Sequence, residues 1–140
     1  TYILERTDTI TTMKLQKLAF YSQAQHLAQY GVQLFPEDFQ AWRGGPVVPE
    51  LYALHRGKFL IRPGELEGGN SSTLTDDERS VIDNVCAAMG HATGAELSER
   101  THRESPWLDA RDGRKPSEPS DTVITQDAMR SYYLEHPVLI

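Results

Sequence analysis

The side chains best suited to proton transfer or nucleophilic attack in this 140-residue sequence fall in two short stretches. One is Thr101-His102-Arg103-Glu104-Ser105. A histidine oriented by a carboxylate is a general base, and Thr101 or Ser105 would be the nucleophile of a hydrolase built there. Residues two apart on a helix point away from one another, so His102 and Glu104 pair only where the segment is irregular. The other stretch is Met13-Lys14-Leu15-Gln16-Lys17, whose lysines, if desolvated, could serve as a base or a phosphate contact. Gly44-Gly45-Pro46 does not match a phosphate-binding loop, which argues against nucleotide chemistry. Cys86 falls on an apolar stripe where thiols are usually inert, and there is no Gly-x-Ser-x-Gly elbow. Of the histidines, His26, His55 and His91 are isolated, His136 lies in a terminal tail, and no two have the spacing that puts metal ligands on one helical face. These patterns predict a protein that is not an enzyme and that uses no cofactor or metal.

The elements that must position these residues are mostly helical. A long helix is expected from a Thr12 cap to about Tyr30, closed by Gly31 in a left-handed conformation. At 100° per residue, Phe20, Tyr21, Ala24, Leu27 and Ala28 share one face, and Leu15, Leu18 and Ala19 occupy another. Two apolar faces imply a central, buried helix, with Lys17 projecting from the first of them. A charge there must snorkel, pair with a carboxylate such as Glu50 or Glu104, or await a ligand. Phe39-Gln40-Ala41-Trp42 alternates like a short strand before a Gly-Gly-Pro turn. Pro49 then opens a short helix with Leu51, Tyr52 and Leu54 on its apolar side, and Arg62 to Thr73 reads as an exposed loop.

Thr75 with Glu78 and Thr93 with Glu96 are capping-box patterns. The first precedes the stripe Val81, Ile82, Val85, Cys86, Met89; the second starts a helix carrying Leu97. Ser105 as cap with Pro106 restarts a turn, Asp112 to Ser120 is a polar loop, and Val123-Ile124 is a short strand. Thr125 caps a last helix through Met129, Tyr132, Tyr133 and Leu134. Trp42, Tyr52 and Trp107 are expected in the core, with a hydrogen bond at its rim. The fold class that follows is mainly α, one compact domain over residues 1–140 around a long central helix. A small antiparallel element of two or three strands would pair Phe39–Trp42 with Val123–Ile124.

Composition sets the outer bounds. The net charge of −6 and a pI near 5.3 argue against autonomous nucleic-acid binding, which normally draws on a basic face. The densest basic cluster, Arg111, Arg114 and Lys115, lies in the polar loop and is expected to be solvated. A single cysteine excludes an internal disulfide, and no apolar run reaches bilayer length, so a cytoplasmic protein with no membrane partner is expected. The chain begins with Thr1, so upstream residues are expected as well.

Two blocks carry a resemblance. Met13-Lys14-Leu15-Gln16-Lys17-Leu18-Ala19-Phe20-Tyr21 is followed by Ala41-Trp42-Arg43-Gly44-Gly45-Pro46-Val47-Val48-Pro49-Glu50-Leu51-Tyr52. Further along come Glu96-Leu97-Ser98 and Thr101-His102-Arg103-Glu104-Ser105-Pro106-Trp107. In this order they resemble the signature of the Panacea-domain family, the SocA-like antitoxins of bacteria and their phages. Ala19, Phe20 and Gly44 depart from the family pattern of leucine, tyrosine and an aromatic, differences that touch packing. Its structural members are Leu15, Leu18, Tyr21, Trp42, Gly45, Pro46, Val47, Pro49, Tyr52, Thr101, Pro106 and Trp107.

The resemblance implies an antitoxin that neutralises a cognate toxin by direct protein–protein binding. It places the partner surface on the signature's polar members: Lys14, Gln16, Lys17, Gln23, Arg43 and Glu50, with His102 and Glu104. The alternatives are an adaptor delivering a bound protein to a protease, a phage-encoded interaction protein, and, further off, the hydrolase built on His102 and Glu104.

Overall fold

In the computed structural model, which describes residues 1–139, seven α-helices surround one another with two small antiparallel sheets. In chain order the elements are α1 (Tyr2–Thr7), β1 (Ile10–Thr11), α2 (Thr12–Tyr30), β2 (Phe39–Trp42), β3 (Gly45–Val47), α3 (Pro49–His55) and β4 (Leu60–Ile61). A 3₁₀ turn at Ser71–Thr73 leads to α4 (Asp76–Met89), α5 (Gly94–His102), α6 (Ser105–Ala110), β5 (Val123–Ile124) and α7 (Gln126–Glu135).

Helix α2 is the axis. Its two apolar faces are both covered, by α4, α5 and α7, so Leu15, Leu18, Phe20, Tyr21, Ala24 and Leu27 are all buried. The start lies one residue earlier than the Thr12 cap expected, because the Thr11 hydroxyl accepts from the Lys14 amide. At the other end Gly31 adopts φ 74°, the left-handed cap that a side chain would resist. Both capping boxes form: Thr75 and Glu78 exchange bonds at the start of α4, as do Thr93 and Glu96 at α5. The α4 stripe Val81, Ile82, Val85, Cys86, Met89 is buried, and burial pushes the Cys86 thiol up to about 11. Thr125 caps α7 through the Ala128 amide.

The larger sheet has the order β3-β2-β5. Phe39 faces Ile124 and Gln40 faces Val123, the pairing the sequence predicts. Strand β3, which replaces most of the predicted turn, pairs Val47 with Gln40 and Gly45 with Trp42. The smaller sheet joins Ile10 to Ile61 and Thr11 to Leu60, strands too short to show alternation in the sequence.

Four expectations fail. Glu104, not Ser105, caps α6 and makes no side-chain cap bond there. On α3 only His55 is buried, and the side expected to be apolar is largely in solvent, with Tyr52 and Leu54 exposed. Tyr52 thus lies outside the core in which it was expected, and Trp42 is only partly buried. Arg111 is not solvated: at 2% exposure it is among the largest fully buried side chains.

Candidate partner-binding site

Five buried or half-buried polar side chains converge on the backbone of the β2–β3 hairpin. Arg111 Nη1 donates to the Ala41 carbonyl at 3.1 Å, and the Trp107 indole donates to the Trp42 carbonyl at 2.8 Å. The Ser98 hydroxyl donates to the Gly44 carbonyl, and Lys17 Nζ to the Pro46 carbonyl at 3.2 Å. Gln16 takes the Val48 amide at 3.0 Å and reaches the Val48 carbonyl at 3.4 Å. A buried carbonyl without a donor is costly, so each of these contacts removes a penalty as well as aiming the hairpin. Gly45 has φ 116°, and a Cβ there would sit 2.5 Å from Lys17 Cε. The glycine is therefore required twice, by its backbone conformation and by the lysine beneath it.

The residues expected to be exposed partner contacts divide sharply. Gln16, Lys17, Gln23 and Glu104 are buried, and the expected exposure is corrected for all four. Gln16 contacts His55 Nε2 at 2.9 Å in addition to Val48. Gln23 accepts from the Leu34 amide at 2.7 Å and donates to the Phe35 carbonyl at 2.9 Å, fixing the chain that leaves α2. Lys17 finds neither Glu50 nor Glu104; among the described residues it forms no ion pair. Desolvation lowers its ammonium to about 7.

Glu104 instead accepts from Tyr21 Oη at 2.5 Å and Tyr133 Oη at 2.9 Å, with Arg100 Nε at 3.3 Å, which locks α2, α5 and α7 together. Burial first drives both phenols well above the ordinary tyrosine range, followed by the Glu104 charge at Tyr21 and by the Tyr21 phenol and then Glu104 at Tyr133.

His102 does not meet Glu104. Its ring stacks on Trp107 with centroids 4.0 Å apart, and Ser98 Oγ lies 3.5 Å from its Nε2. Desolvation, followed by the charges of Lys17 and Arg111, lowers its pKa. The base and orienting carboxylate of the hydrolase reading are thus apart, and the Ser98 hydroxyl is committed to a backbone carbonyl. Thr101 is buried and donates to the Ser98 carbonyl, Trp107 lies in the core as expected, and Pro106 before it is buried too. Lys14 is half-buried and ties the start of α2 to the end of α4 through the Gly90 carbonyl.

What remains accessible is compact. Arg43 is exposed at the hairpin tip, and the partly buried Trp42 and exposed Tyr52 pack edge to face at 5.0 Å. The Trp42 indole donates to Gln40 Oε1 at 2.8 Å, which sets its ring. With Gln40, Gly44, Pro119, Ser120 and Asp121 they line an open cleft. Trp, Tyr and Arg are the residue types that dominate binding energy in protein interfaces; here Trp42 and Arg43 stand on a hairpin braced from beneath, and Tyr52 joins them from α3. Glu50 is exposed but borders a separate cleft on the other flank of α3.

Arg111 and Ser98 were missed as braces. Arg111 sits four residues after Trp107 and lies 4.7 Å over its ring, a spacing visible in sequence once α6 is placed. Ser98 belongs to the Glu96-Leu97-Ser98 element of the resemblance, but nothing in its spacing points to the Gly44 carbonyl 54 residues away. Among the described residues no helix is long and apolar enough to cross a membrane, and no group of three or more His, Cys, Asp or Glu is placed to hold a metal ion.

The small helical domain thus displays Trp42 and Arg43 on a braced hairpin, with Tyr52 of α3 packed beside them. Residues 15–108, about two thirds of the chain, match the family model described as Antitoxin SocA-like, Panacea domain. The chain belongs to that family. No curated protein and no solved structure matches it.

Proposed function

We propose that the domain is the antitoxin of a toxin–antitoxin pair, binding a cognate toxin directly and blocking it stoichiometrically without catalysis of its own. Family membership over residues 15–108 carries this reading. The contact face is centred on Trp42, Arg43 and Tyr52, because these are accessible while Gln16 and Lys17 are consumed in bracing the hairpin, Gln23 in holding the chain after α2 and Glu104 in joining the helices. An interface of about 1,600 Å² in total with a few such anchors at its centre suffices for tight inhibition.

The test is to express the neighbouring open reading frame from a tight inducible promoter, with and without this protein. Growth arrest by the neighbour, rescue on co-expression and a co-purifying complex are the expected results. Arg43→Glu should abolish rescue with an unchanged circular dichroism spectrum, whereas His102→Ala should still rescue. A harmless neighbour, or rescue with no complex, overturns direct neutralisation. Loss of the toxin protein itself on co-expression would indicate delivery to a protease instead.

A further inference from the structure

A second cleft of about 460 Å³ opens between α2, α3 and the segments that follow α2 and precede α4. Leu15, Ala19, Val48, Leu51, Leu54 and Ile82 supply much of its apolar lining. Two features separate it from a packing defect. Its walls are held by the buried glutamines of α2: Gln16 grips Val48, and Gln23 grips Leu34 and Phe35, which also line the cleft. Buried polar side chains spent on holding an apolar cleft open are a feature of a preorganised binding site. The second feature is Ser22, also in the lining: it is 1% exposed, and its hydroxyl has no hydrogen-bond partner among the described residues. A helical serine ordinarily returns its hydroxyl to the preceding turn, and a buried hydroxyl left unpaired carries a desolvation cost that a polar ligand atom would remove.

The charged side chains of the cleft are all acidic, and the cation at its border is the Thr1 amino group, whose charged form burial disfavours. Glu37 and Glu50 are exposed and belong to its lining, and neither forms an ion pair or side-chain hydrogen bond among the described residues. No Lys or Arg lines it, and the chain as a whole carries −6. An acidic, apolar cleft with an unpaired hydroxyl complements an aromatic group that has a hydrogen-bonding tip and positive charge beside it.

We propose that this cleft binds a basic peptide segment of a partner protein, taking a tyrosine side chain against Ser22 and its flanking Lys or Arg on Glu37 and Glu50. The site shares no residue with the Trp42, Arg43 and Tyr52 face, so it goes beyond the antitoxin reading and can fail or stand without it.

The experiment follows backbone amide chemical shifts of the full chain during titration with acetyl-Lys-Arg-Tyr-Lys-Arg-amide. Saturable shifts at Ser22, Val48 and Leu51 are expected, and the Glu37→Lys, Glu50→Lys double variant should weaken binding about tenfold, as two exposed charge contacts would. Ser22→Ala, which removes an unpaired hydroxyl and so spares the fold, should erase the preference for the tyrosine peptide over its phenylalanine analogue. Equal binding of acetyl-Glu-Glu-Tyr-Glu-Glu-amide, shifts centred on Trp42 and Arg43 instead, or no shifts overturn the proposal. Free tyramine binding the same amides as tightly as the peptide would also overturn it, since the site would then belong to a small amine.

Discussion

Replacing Lys17 with methionine keeps the aliphatic stem against the hairpin and removes an ammonium that is 2% exposed. Burial lowers that ammonium from 10.5 to about 7 in the folded chain, while the unfolded chain keeps the ordinary value. Between these values the unfolded state holds a proton the folded state has released, so stability rises with pH across the interval; below pH 7 the whole penalty is present, and above 10.5 it is gone. At about 1.4 kcal/mol per pH unit, the stability of the native protein should climb by roughly 2 kcal/mol from pH 7 to pH 9 through this group. The methionine variant loses that climb and the hydrogen bond to the Pro46 carbonyl, worth about 1 kcal/mol. It should therefore be more stable than the native protein by roughly 3 kcal/mol at pH 7 and by roughly 1 kcal/mol at pH 9. Burial lowers His55 and His102 from 6.5, which puts their titration below this window. Urea unfolding of both proteins at half-unit pH intervals measures the difference. Parallel pH profiles would refute the assignment of a desolvated, unpaired ammonium to Lys17.

Three other outcomes follow from the same contacts. Gly45→Ala should destabilise by more than 2 kcal/mol, because the position has φ 116° and its new methyl strikes Lys17 Cε; in a thermal-melt double-mutant cycle, Lys17→Ala should recover the steric part but not the backbone part. Glu104→Ala should cost about 3 kcal/mol in chemical unfolding, since it leaves Arg100 and two buried tyrosine hydroxyls without their acceptor. Arg111→Ala should cost about 2–3 kcal/mol and raise amide hydrogen exchange in the hairpin, because the Ala41, Lys115 and Glu118 carbonyls all lose a donor.

Local chemistry was legible wherever residues a few positions apart decide the outcome. The helix boundaries at Gly31, Thr75, Thr93 and Thr125 depend on caps that bond three or four residues away, and all four are found. The two apolar faces of α2 identify it as the axis before any partner is known, since a helix apolar on both sides must be covered on both. Even the Phe39–Trp42 pairing with Val123–Ile124 could be expected, because few other extended apolar segments exist to accept it.

The roles of the polar signature residues were decided by tertiary structure. Gln16, Lys17, Gln23, Ser98 and Arg111 look alike in sequence as hydrophilic positions, yet each serves a backbone group between 4 and 70 residues distant, and such partners leave no periodicity. Hydrophilicity predicts exposure only when water is the best available partner; here unpaired carbonyls and amides of the hairpin and of the chain after α2 compete successfully for these side chains. The converse holds on α3, where Tyr52 and Leu54 have an apolar pattern but α3 lies at the edge of the domain and leaves them in solvent. Sequence alone thus determined the family, the axis and the caps, while the three-dimensional packing decided which of the signature's side chains hold the hairpin and which remain exposed.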